Sequence, residues 1–472
     1  MKDWKKYLLG YCLIAVLVLP VQAQILQIGS GTSLENYAAS ELQRYYYQLS
    51  GKLLNIERTA SANLKSDFIL TTLDNPLVDD WQKKGILKLK EKPGEQGYIL
   101  QTVKNAGRHT LLIAGTAPCG LLYGVYGLLE DHLGVRFYMS GDILPEKRMR
   151  GHLPVINDVR TPQMRIRGFL PWTNFPQSAT IYSWNDQAAK MRMNFIMIHN
   201  YNGFCGHNET FHNFEYNGYL SRGWMPTVKT GHGWLCPGWD INEYCFGASE
   251  IYDDYDFGAD YGLHNETLTN GQIKEKGATI FRKVIAYAHL RGVKIGLGLD
   301  IDVILPEYQV SADDRGVIAA QTAQLAKQYP YLDYLFCFQS EGSKDSVFYA
   351  KWQRVFDGFY EDMKRLSPST HIVVSGWGMT AESVARLPKD VICAPISYYS
   401  AAFEPGNIYG EREYWGCPWL ERDWSSSQYY YPYNVDLSET IHAYEKASEN
   451  MKGFYALTWL LTDAVSPKMW YI

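Results

Sequence analysis

The run FCFQSEG at residues 336–342, preceded by YLDYL, decides how the rest of the chain is interpreted. Its apolar residues predict a buried strand, and the polar Gln339, Ser340 and Glu341 follow before Gly342 turns the chain. In a barrel of alternating strands and helices, the carboxyl ends of the strands line the active site, so this position makes Glu341 a catalytic candidate. A single Glu here is as typical of a cap on the following helix, and only the rest of the chain separates the two interpretations.

Strand-like apolar runs recur on both sides of this stretch and alternate with helical patterns. Together with the strand at 334–338, these runs give the number of strands that a barrel needs. They predict a (β/α)8 TIM-type barrel domain at 164–472, which follows a linker at 159–163. An open doubly wound sheet is the alternative, but polar or aromatic residues at nearly every strand end favour the barrel. The other strands are predicted at residues 166–170, 195–199, 293–299, 372–375, 391–396, 417–420 and 454–459, and helices at 184–193, 279–291, 315–328, 347–366 and 437–451.

Residues 24–158 show a shorter alternation of strands and helices, which predicts a small α/β sandwich domain ahead of the barrel. One helix at 34–51 ends on Gly51, a typical carboxyl cap, and a second runs from 116 to 134. Short strands are predicted at residues 68–72, 98–103 and 110–114.

Residues 1–23 carry three lysines, an apolar run and a small-residue cleavage site, which is the pattern of a secretory signal peptide. No later run is long and apolar enough to span a membrane, so the mature protein is expected in the periplasm or outside the cell. Cys12 within the apolar run leaves a lipoprotein as the alternative.

The composition narrows the classes of partner. A formal net charge of -5 over 472 residues gives no basic field for nucleic acid. The 14 Trp and 36 Tyr suit stacking on sugar rings as well as core packing. A carbohydrate partner is therefore compatible with the chain and nucleic acid is not expected, while the oligomeric state is left open.

The cysteine pattern argues against a disulfide framework and against a zinc cluster. Of the eight cysteines, Cys12 lies in the signal peptide, and the odd remainder has no repeated close spacing. Cys337 and Cys393 lie in apolar strands and are expected to be packed thiols. The cysteines at 205, 236 and 245 lie in one long loop region, where two of them could form a disulfide. No phosphate-cradling glycine motif follows a strand, so no cofactor is expected, and no metal either.

Residues 200–271 show little regular periodicity and are rich in Gly, Tyr, Trp, His and Asn. A loop of this length inside a barrel is usually functional, and because it follows the second predicted strand we interpret it as a substrate lid. Its TGHGW run at 230–234 places His232 and Trp234 among glycines that let the backbone approach a ligand. The other histidines of the lid have no metal-binding spacing and are expected to be ordinary packed or solvent-facing residues.

Two parts of the chain resemble a known family. The stretch GRHTLLIAGTAPCGLLYGVYGLLEDHLGVRFY at 107–138 is similar to the amino-terminal domain of glycoside hydrolase family 67, the α-glucuronidases. Related domains precede barrels in hexosaminidase-like enzymes. In the barrel, SEG at 340–342 resembles the family's catalytic-acid motif, GVKIGLGLDID at 292–302 its third strand, and MRMNFIMIHNYN at 191–202 its second. The resemblance implies a carbohydrate-active enzyme.

The chain departs from the family at two positions. The family's usual Lys shortly before the acid falls at about Cys337, which weakens the case for binding a uronate carboxylate. Its second-site Asp falls within residues 398–400, where this chain has two tyrosines and a serine. The chain also stops directly after the eighth predicted strand, where family 67 enzymes continue into a helical domain, so a closing helix is expected to be missing.

Glycoside hydrolysis needs one protonated carboxyl group for the leaving oxygen and a second carboxylate that attacks or activates water. The ends of different strands meet at one mouth, which brings Glu341 together with Glu421 after the seventh predicted strand. We predict Glu341 as the general acid and Glu421 as the base, with Glu404 and Asp423 as substitutes.

Aromatic and polar residues at other strand ends complete the predicted site. Any one of them is more typical of packing, and several that converge on one face are the stronger signal. The aromatic platform comprises Trp172, Trp377, Tyr398, Trp424 and Trp459, and the residues for hydroxyl groups are Asn200, His232 and Asp300.

These patterns together predict an exported glycoside hydrolase, α-glucuronidase-like. One alternative is a hexosaminidase-like enzyme in which an acetamido group of the substrate replaces the second carboxylate. Another is a non-catalytic glycan-binding protein that keeps the cleft without the chemistry.

Overall fold

The structure is a computed structural model of the 472-residue chain. The chain divides into two compact units, Met1–Arg136 with Asp142–Pro162, and Phe137–Gly141 with Gln163–Ile472. The described residues are 24–27, 29, 31–59, 66–89, 91–105, 108–139, 141–147, 149, 153–171, 178–200, 270–301, 315–339, 346–377, 379–397, 408–418 and 450–458.

A six-stranded sheet forms the centre of the first unit. The elements of this part of the chain are β1 (Gln24–Gln27), α1 (Ser33–Ser50), β2 (Asn55–Arg58), β3 (Phe68–Thr72), α2 (Pro76–Lys83), β4 (Tyr98–Asn105), β5 (Arg108–Gly115), α3 (Pro118–Gly127) with a π-helical extension (Leu128–His132), β6 (Arg136–Tyr138), β7 (Gly141–Ile143) and β8 (Asn157–Arg160). The sheet has the order β2-β1-β3-β5-β4-β8, in which the first four strands are parallel, β4 is antiparallel to β5, and β8 pairs antiparallel with β4 at the edge.

Helices cover both faces of this sheet, so the unit is a three-layer α/β sandwich. On one face α2 inserts Val78 and Trp81 into a core that includes Ile69. On the other face Tyr46 of α1 meets Phe68 edge to face, with ring centroids 5.5 Å apart.

Helix α1 has sequence signals at both ends. Glu35 Oε2 accepts hydrogen bonds from the backbone N and the hydroxyl of Thr32, at 2.8 and 3.0 Å, and completes a capping box. Gly51 ends the helix in the left-handed conformation at φ 74°, and its N–H donates to Tyr47 O at 2.8 Å. Because a carboxylate already occupies the amino terminus of α1, this turn is not available to an anionic ligand.

Eight parallel strands close into a barrel in the second unit, in the order β10-β11-β12-β13-β14-β15-β16-β9. Its elements are β9 (Ile166–Pro171), α4 (Ser178–Lys190), β10 (Phe195–Asn200), α5 (Asn270–His289), β11 (Lys294–Asp300), α6 (Arg315–Gln328), β12 (Tyr334–Gln339), α7 (Ser346–Leu366), β13 (His371–Trp377), α8 (Ala381–Ala385), β14 (Ile392–Ser397), β15 (Tyr414–Pro418) and β16 (Met451–Thr458).

Aromatic rings fill the barrel interior. Phe195 lies at their centre, 5.8 Å from Phe336, 5.4 Å from Trp415 and 5.5 Å from Tyr455 between ring centroids. Gly296 of β11 makes room for them, because a Cβ there would lie 2.8 Å from a ring carbon of Phe336 and 3.0 Å from one of Phe195. The interior is therefore a packed core in which the glycine at position 296 faces large rings.

The structure confirms the predicted fold class, a small α/β sandwich followed by a (β/α)8 barrel. Some predicted boundaries are wrong. The seventh barrel strand is Tyr414–Pro418, which begins three residues earlier than predicted. Val159 and Arg160, predicted as part of the linker, belong to β8. Met451, the predicted end of a helix, is the first residue of β16, and the rest of that helix lies outside the described residues.

The edges of the predicted lid are also different. Asn200 is the last residue of β10, and Asn270 and Gly271 begin α5, which leaves 201–269 outside the described residues. The predicted signal peptide at 1–23 lies outside them as well. In the part of the chain that is described, no helix is long and apolar enough to cross a membrane.

Candidate active site at the carboxyl end of the barrel

The carboxyl ends of the eight parallel strands open at one end of the barrel, which we call the mouth. In a barrel of this type the mouth carries the chemistry, since the loops that follow the strands converge there. The last residues of the strands are Pro171, Asn200, Asp300, Gln339, Trp377, Ser397, Pro418 and Thr458.

Buried apolar side chains close the barrel interior beneath the mouth. Each of these side chains is no more than 3% exposed. They are Leu170, Met197, Phe338, Ile396 and Leu457. The described part of the barrel interior beneath the mouth is therefore apolar at these positions, and an apolar setting disfavours ionisation of a carboxyl group.

A small polar cluster is also buried in the interior. The hydroxyl groups of Ser375 and Tyr455 both donate to the backbone oxygen of Ala394, at 2.6 and 3.5 Å. Burial, and then the neighbouring Cys417, raise the pKa of Tyr455 well above its ordinary value, and burial raises the pKa of the Cys417 thiol. Both groups stay neutral at physiological pH, so neither is an activated nucleophile and neither places a charge below the mouth.

Gln339 ends β12 at the point where the predicted acid follows two residues later. Its side chain is 1% exposed, and no described residue donates a hydrogen bond to its Oε1. The neighbouring Phe338 belongs to the interior core, so Gln339 faces the helical layer outside the barrel.

Three of the residues predicted for the site are the last residues of barrel strands. Asn200, Asp300 and Trp377 end β10, β11 and β13, and for these three the structure describes the backbone position alone. The other predicted residues lie outside the described residues, and their roles stay predictions. They are Glu341, Glu421, Glu404, Asp423, Trp172, His232, Tyr398, Trp424 and Trp459.

The strand register indicates one position that the sequence analysis missed. Phe195 and Met197 of β10 belong to the interior core, and the two-residue period of a strand continues that series to position 199. Position 199 is a histidine and pairs with Gly298 of β11, whereas Asn200 alternates with this series. Counting every second residue along β10 from Phe195 identifies position 199. The sequence analysis chose Asn200 instead because it is a polar residue at the predicted end of the strand.

Two predicted positions do fall in the interior series of their strands. Position 377 continues the series Val373 and Ser375 of β13, and position 300 continues the series that Gly296 begins in β11. Asp300 and Trp377 therefore occupy the register positions expected of mouth residues.

Metal and thiol chemistry find no support in the described ranges. No group of three or more His, Cys, Asp or Glu residues there is arranged to hold a metal ion. Cys337 and Cys393 are buried free thiols, as predicted, and burial raises the pKa of each to about 12. The cysteines at 205, 236 and 245 lie outside the described residues.

Comparison with known families supports the resemblance of the amino-terminal domain. Residues 20–128 match the family described as glycosyl hydrolase family 67 N-terminus. The match covers a minority of the chain and includes most of the first unit. None of the curated protein sequences compared with the chain matches it.

Solved structures with a similar fold align over nearly the whole chain. The GH20 β-N-acetylhexosaminidase from Streptomyces coelicolor A3(2) has a TM-score of 0.54 at 12% identity, over 94% of this chain and 83% of that one. A β-N-acetylhexosaminidase from Bacteroides fragilis has a TM-score of 0.54 at 11% identity, over 95% and 83%. The GH20 exo β-N-acetylglucosaminidase from Vibrio harveyi, in complex with N-acetylglucosamine, has a TM-score of 0.56 at 12% identity, over 93% and 66%.

At these identities the likeness concerns the fold. The class that the fold defines is a two-unit α/β protein, a sandwich joined to a TIM-type barrel, with the architecture of these glycosidases.

Proposed function

We propose that this protein is a glycoside hydrolase that works at the mouth of the barrel, with Glu341 as general acid and Glu421 as base. The observation that carries the proposal is the end of β12, whose last residue is Gln339, so that Glu341 follows a barrel strand on the mouth side by two residues. Glu421 likewise follows Pro418, the last residue of β15, by three residues. The family 67 match of the first unit supports a carbohydrate-active enzyme.

The surroundings suit an acid of this kind. A general acid must be protonated when substrate binds, and an apolar environment raises the pKa of a carboxyl group. Buried apolar residues of the barrel interior such as Phe338 and Leu457, and the neutral Tyr455, support an acid at this end of the barrel. In the proposed reaction Glu341 gives its proton to the leaving oxygen, and Glu421 takes a proton from the water that attacks the anomeric carbon.

Two substrate classes are supported by different observations. Terminal α-glucuronosyl groups are supported by the family 67 match and by the SEG resemblance. Terminal N-acetyl-β-hexosaminyl groups are supported by the fold shared with the N-acetylhexosaminidases and by the departure from the family 67 pattern at 398–400. In the second case the acetamido oxygen of the substrate would replace the second carboxylate, and Glu421 would not be needed.

Hydrolysis of 4-nitrophenyl α-D-glucuronide and of 4-nitrophenyl N-acetyl-β-D-glucosaminide by the purified protein tests the proposal. We expect turnover of one of them, and loss of most of it in Glu421→Gln only if the glucuronide is the substrate. Retained turnover in Glu421→Gln would favour acetamido assistance. Binding of the monosaccharides without any hydrolysis would contradict the proposal and favour a glycan-binding protein.

The predicted substrate contact of the lid is tested with the same assay. His232→Ala is expected to raise KM or lower kcat while the melting temperature stays nearly unchanged, because His232 is proposed to bind the sugar. Unaltered kinetics would leave His232 an ordinary loop residue.

A further inference from the structure

Strand β15 is attached to β14 by an interrupted ladder. Register pairs with β14 are made by Tyr414, Cys417 and Pro418, and none by Trp415 or Gly416, although both strands are described in full there. By contrast, β12 pairs with β13 at each of its six residues. The ladder between β14 and β15 is therefore broken in the middle of the strand.

The other edge of β15 is irregular as well. The register between β15 and β16 shifts after Tyr414, and the last pair between them is Gly416 with Phe454. In the described ladders the final two residues of β15, Cys417 and Pro418, are thus paired with β14 and not with β16. Each residue of the mouth-side half of β15, residues 416–418, is consequently paired along one edge only.

Two prolines account for part of this irregularity. Pro395 of β14 and Pro418 of β15 have no N–H group, so neither residue donates a hydrogen bond to a ladder. Proline in sheets is usually confined to edge strands, strand ends and bulges, whereas Pro395 lies within a strand that has a neighbour on both sides. The interruption therefore has a covalent cause.

Side chains join the strands where the ladder does not. Ser375 of β13 donates from Oγ to the backbone oxygen of Ala394 in β14 at 2.6 Å, and the hydroxyl of Tyr455 in β16 donates to the same oxygen at 3.5 Å. The hydroxyl of Tyr455 is also hydrogen-bonded to the thiol of Cys417 in β15. All four residues are 0% exposed. This polar cluster thus takes one member from each of four consecutive strands, and the broken ladder lies among them.

The surroundings of the polar cluster are aromatic. The ring of Tyr455 lies 5.5 Å from that of Phe195 and 5.8 Å from that of Phe336, between centroids. A hydroxyl group in such a core lowers stability unless it is hydrogen-bonded, and alanine and phenylalanine would occupy the positions of Ser375 and Tyr455 without that cost. The two hydroxyl groups therefore indicate a role in joining the strands.

The first half of β15 is anchored differently. The ring of Trp415 packs in the aromatic core, 4.9 Å from that of Tyr334, and its Nε1 donates to Glu413 Oε1 at 2.7 Å. Gly453 of β16 makes room for this ring, because a Cβ there would lie 2.5 Å from it. A separation of β15 from its neighbours therefore concerns residues 416–418 and leaves Trp415 in place.

We propose that the barrel opens locally at its mouth by separation of residues 416–418 from β14 and β16, and that the polar cluster is the device that keeps this seam closed. Tyr455 holds β15 through the thiol of Cys417, and Ser375 holds the backbone of β14 through Ala394. Loss of either hydroxyl group weakens the seam. The mouth thereby has a wall that moves without unfolding of the barrel.

Hydrogen exchange of backbone amides, resolved to short segments by mass spectrometry, measures such local opening in the folded protein. After correction for intrinsic rates, we expect the amides of Gly416 and Cys417 to exchange at least about tenfold faster than those of β12. Tyr455→Phe, which keeps the ring, and Ser375→Ala are each expected to speed exchange at 416–417 by about fivefold, the effect of one buried hydrogen bond, and to change β12 little.

Thr370→Val is the matched control. Thr370 is 2% exposed, and its Oγ1 donates to the backbone oxygen of Leu332 at 3.0 Å, so this replacement also removes a buried hydroxyl group that binds a backbone oxygen. Thr370 precedes β13 at the end of the barrel opposite the mouth. Exchange at 416–417 is therefore expected to stay at the wild-type rate in this variant.

Exchange at 416–417 that is no faster than in β12 of the wild-type protein would overturn the proposal. An equal rise in both segments in Tyr455→Phe and Ser375→Ala would also overturn it, because that result shows a general loss of stability. Failure of both variants to fold would contradict a local role for the polar cluster. No activity enters this test, so its outcome is independent of the proposed function.

Discussion

Asn194 and Arg167 exchange two hydrogen bonds where β10 begins to pair with β9. The backbone N of Asn194 donates to the oxygen of Arg167 at 2.8 Å, and the backbone N of Arg167 donates to Asn194 Oδ1, also at 2.8 Å. The Nδ2 of Asn194 donates further to the oxygen of Arg165 at 2.8 Å. The side chain of Asn194 therefore makes the hydrogen bonds that a peptide unit would make in a sheet. It extends the pairing between β9 and β10, in which only Gly168 and Phe169 of β9 are paired in register.

We expect Asn194→Ala to lower the free energy of unfolding by about 2–4 kcal/mol, because two backbone groups lose their partners at a site that is 5% exposed. Urea unfolding measures the change. Asn450→Ala is the matched control, since that side chain makes a hydrogen bond at 3.0 Å to Gly410 at an exposed site and its loss should cost about 1 kcal/mol or less. Equal costs would show that Asn194 does not join the two strands.

The stability of the protein should fall above pH 9. Burial raises the pKa of Cys337 and of Cys393 to about 12, against an ordinary value of 9.0. Between these pH values the unfolded chain has lost the thiol protons and the folded chain has kept them. The contribution of each thiol is thus complete below pH 9 and is lost as the pH rises, by about 1.4 kcal/mol per pH unit.

Unfolding by urea between pH 8.5 and 9.5 checks this dependence, because an ordinary tyrosine with a pKa near 10 is still mostly protonated in this range. Cys337→Ala should make the slope at pH 9 less steep by about 0.7 kcal/mol per pH unit, because about half of the unfolded thiols are ionised at that pH, and this change does not depend on the packing lost. Val374→Ala, at the position paired with Cys337 in β13, should lower stability at every pH and leave the slope unchanged. A wild-type slope in Cys337→Ala would contradict the account of the buried thiol.

The register of β10 makes a prediction for catalysis. His199 continues the interior series of Phe195 and Met197, and Asn200 alternates with it. We expect His199→Ala to reduce kcat/KM at least tenfold and Asn200→Ala to reduce it less, with similar melting temperatures. A larger loss in Asn200→Ala would mean that the chain turns out of the strand register before this point.

Much of the barrel could be predicted from its sequence because most of its strands are continuous apolar runs. β12 and β14 are examples, since strands covered on both faces carry few polar residues. β15 was misplaced because Gly416 interrupts its apolar residues and the pattern there is short. In the first unit, β1 and β2 were missed because each has four residues, of which two in β1 and three in β2 are polar or charged.

The site could be predicted less well, for a physical reason. Polar residues at a strand end show where the mouth begins. The face of the strand on which each of them lies depends on the register of strand pairing, and that register is set by packing such as that of Phe195 against Gly296. The close approach of Gly376 to the backbone oxygen of Gln339 likewise depends on the pairing of two strands, which no local pattern of the sequence contains.

The central claim, that Glu341 is the acid of a glycoside hydrolase, is tested most directly by the leaving-group dependence of Glu341→Gln. The dinitrophenyl glycoside of the sugar that the wild-type protein hydrolyses should keep appreciable turnover, because its leaving group needs no proton. The methyl glycoside should lose about a hundredfold or more in kcat, the contribution expected of a general acid. Undiminished hydrolysis of the methyl glycoside by Glu341→Gln would contradict the assignment.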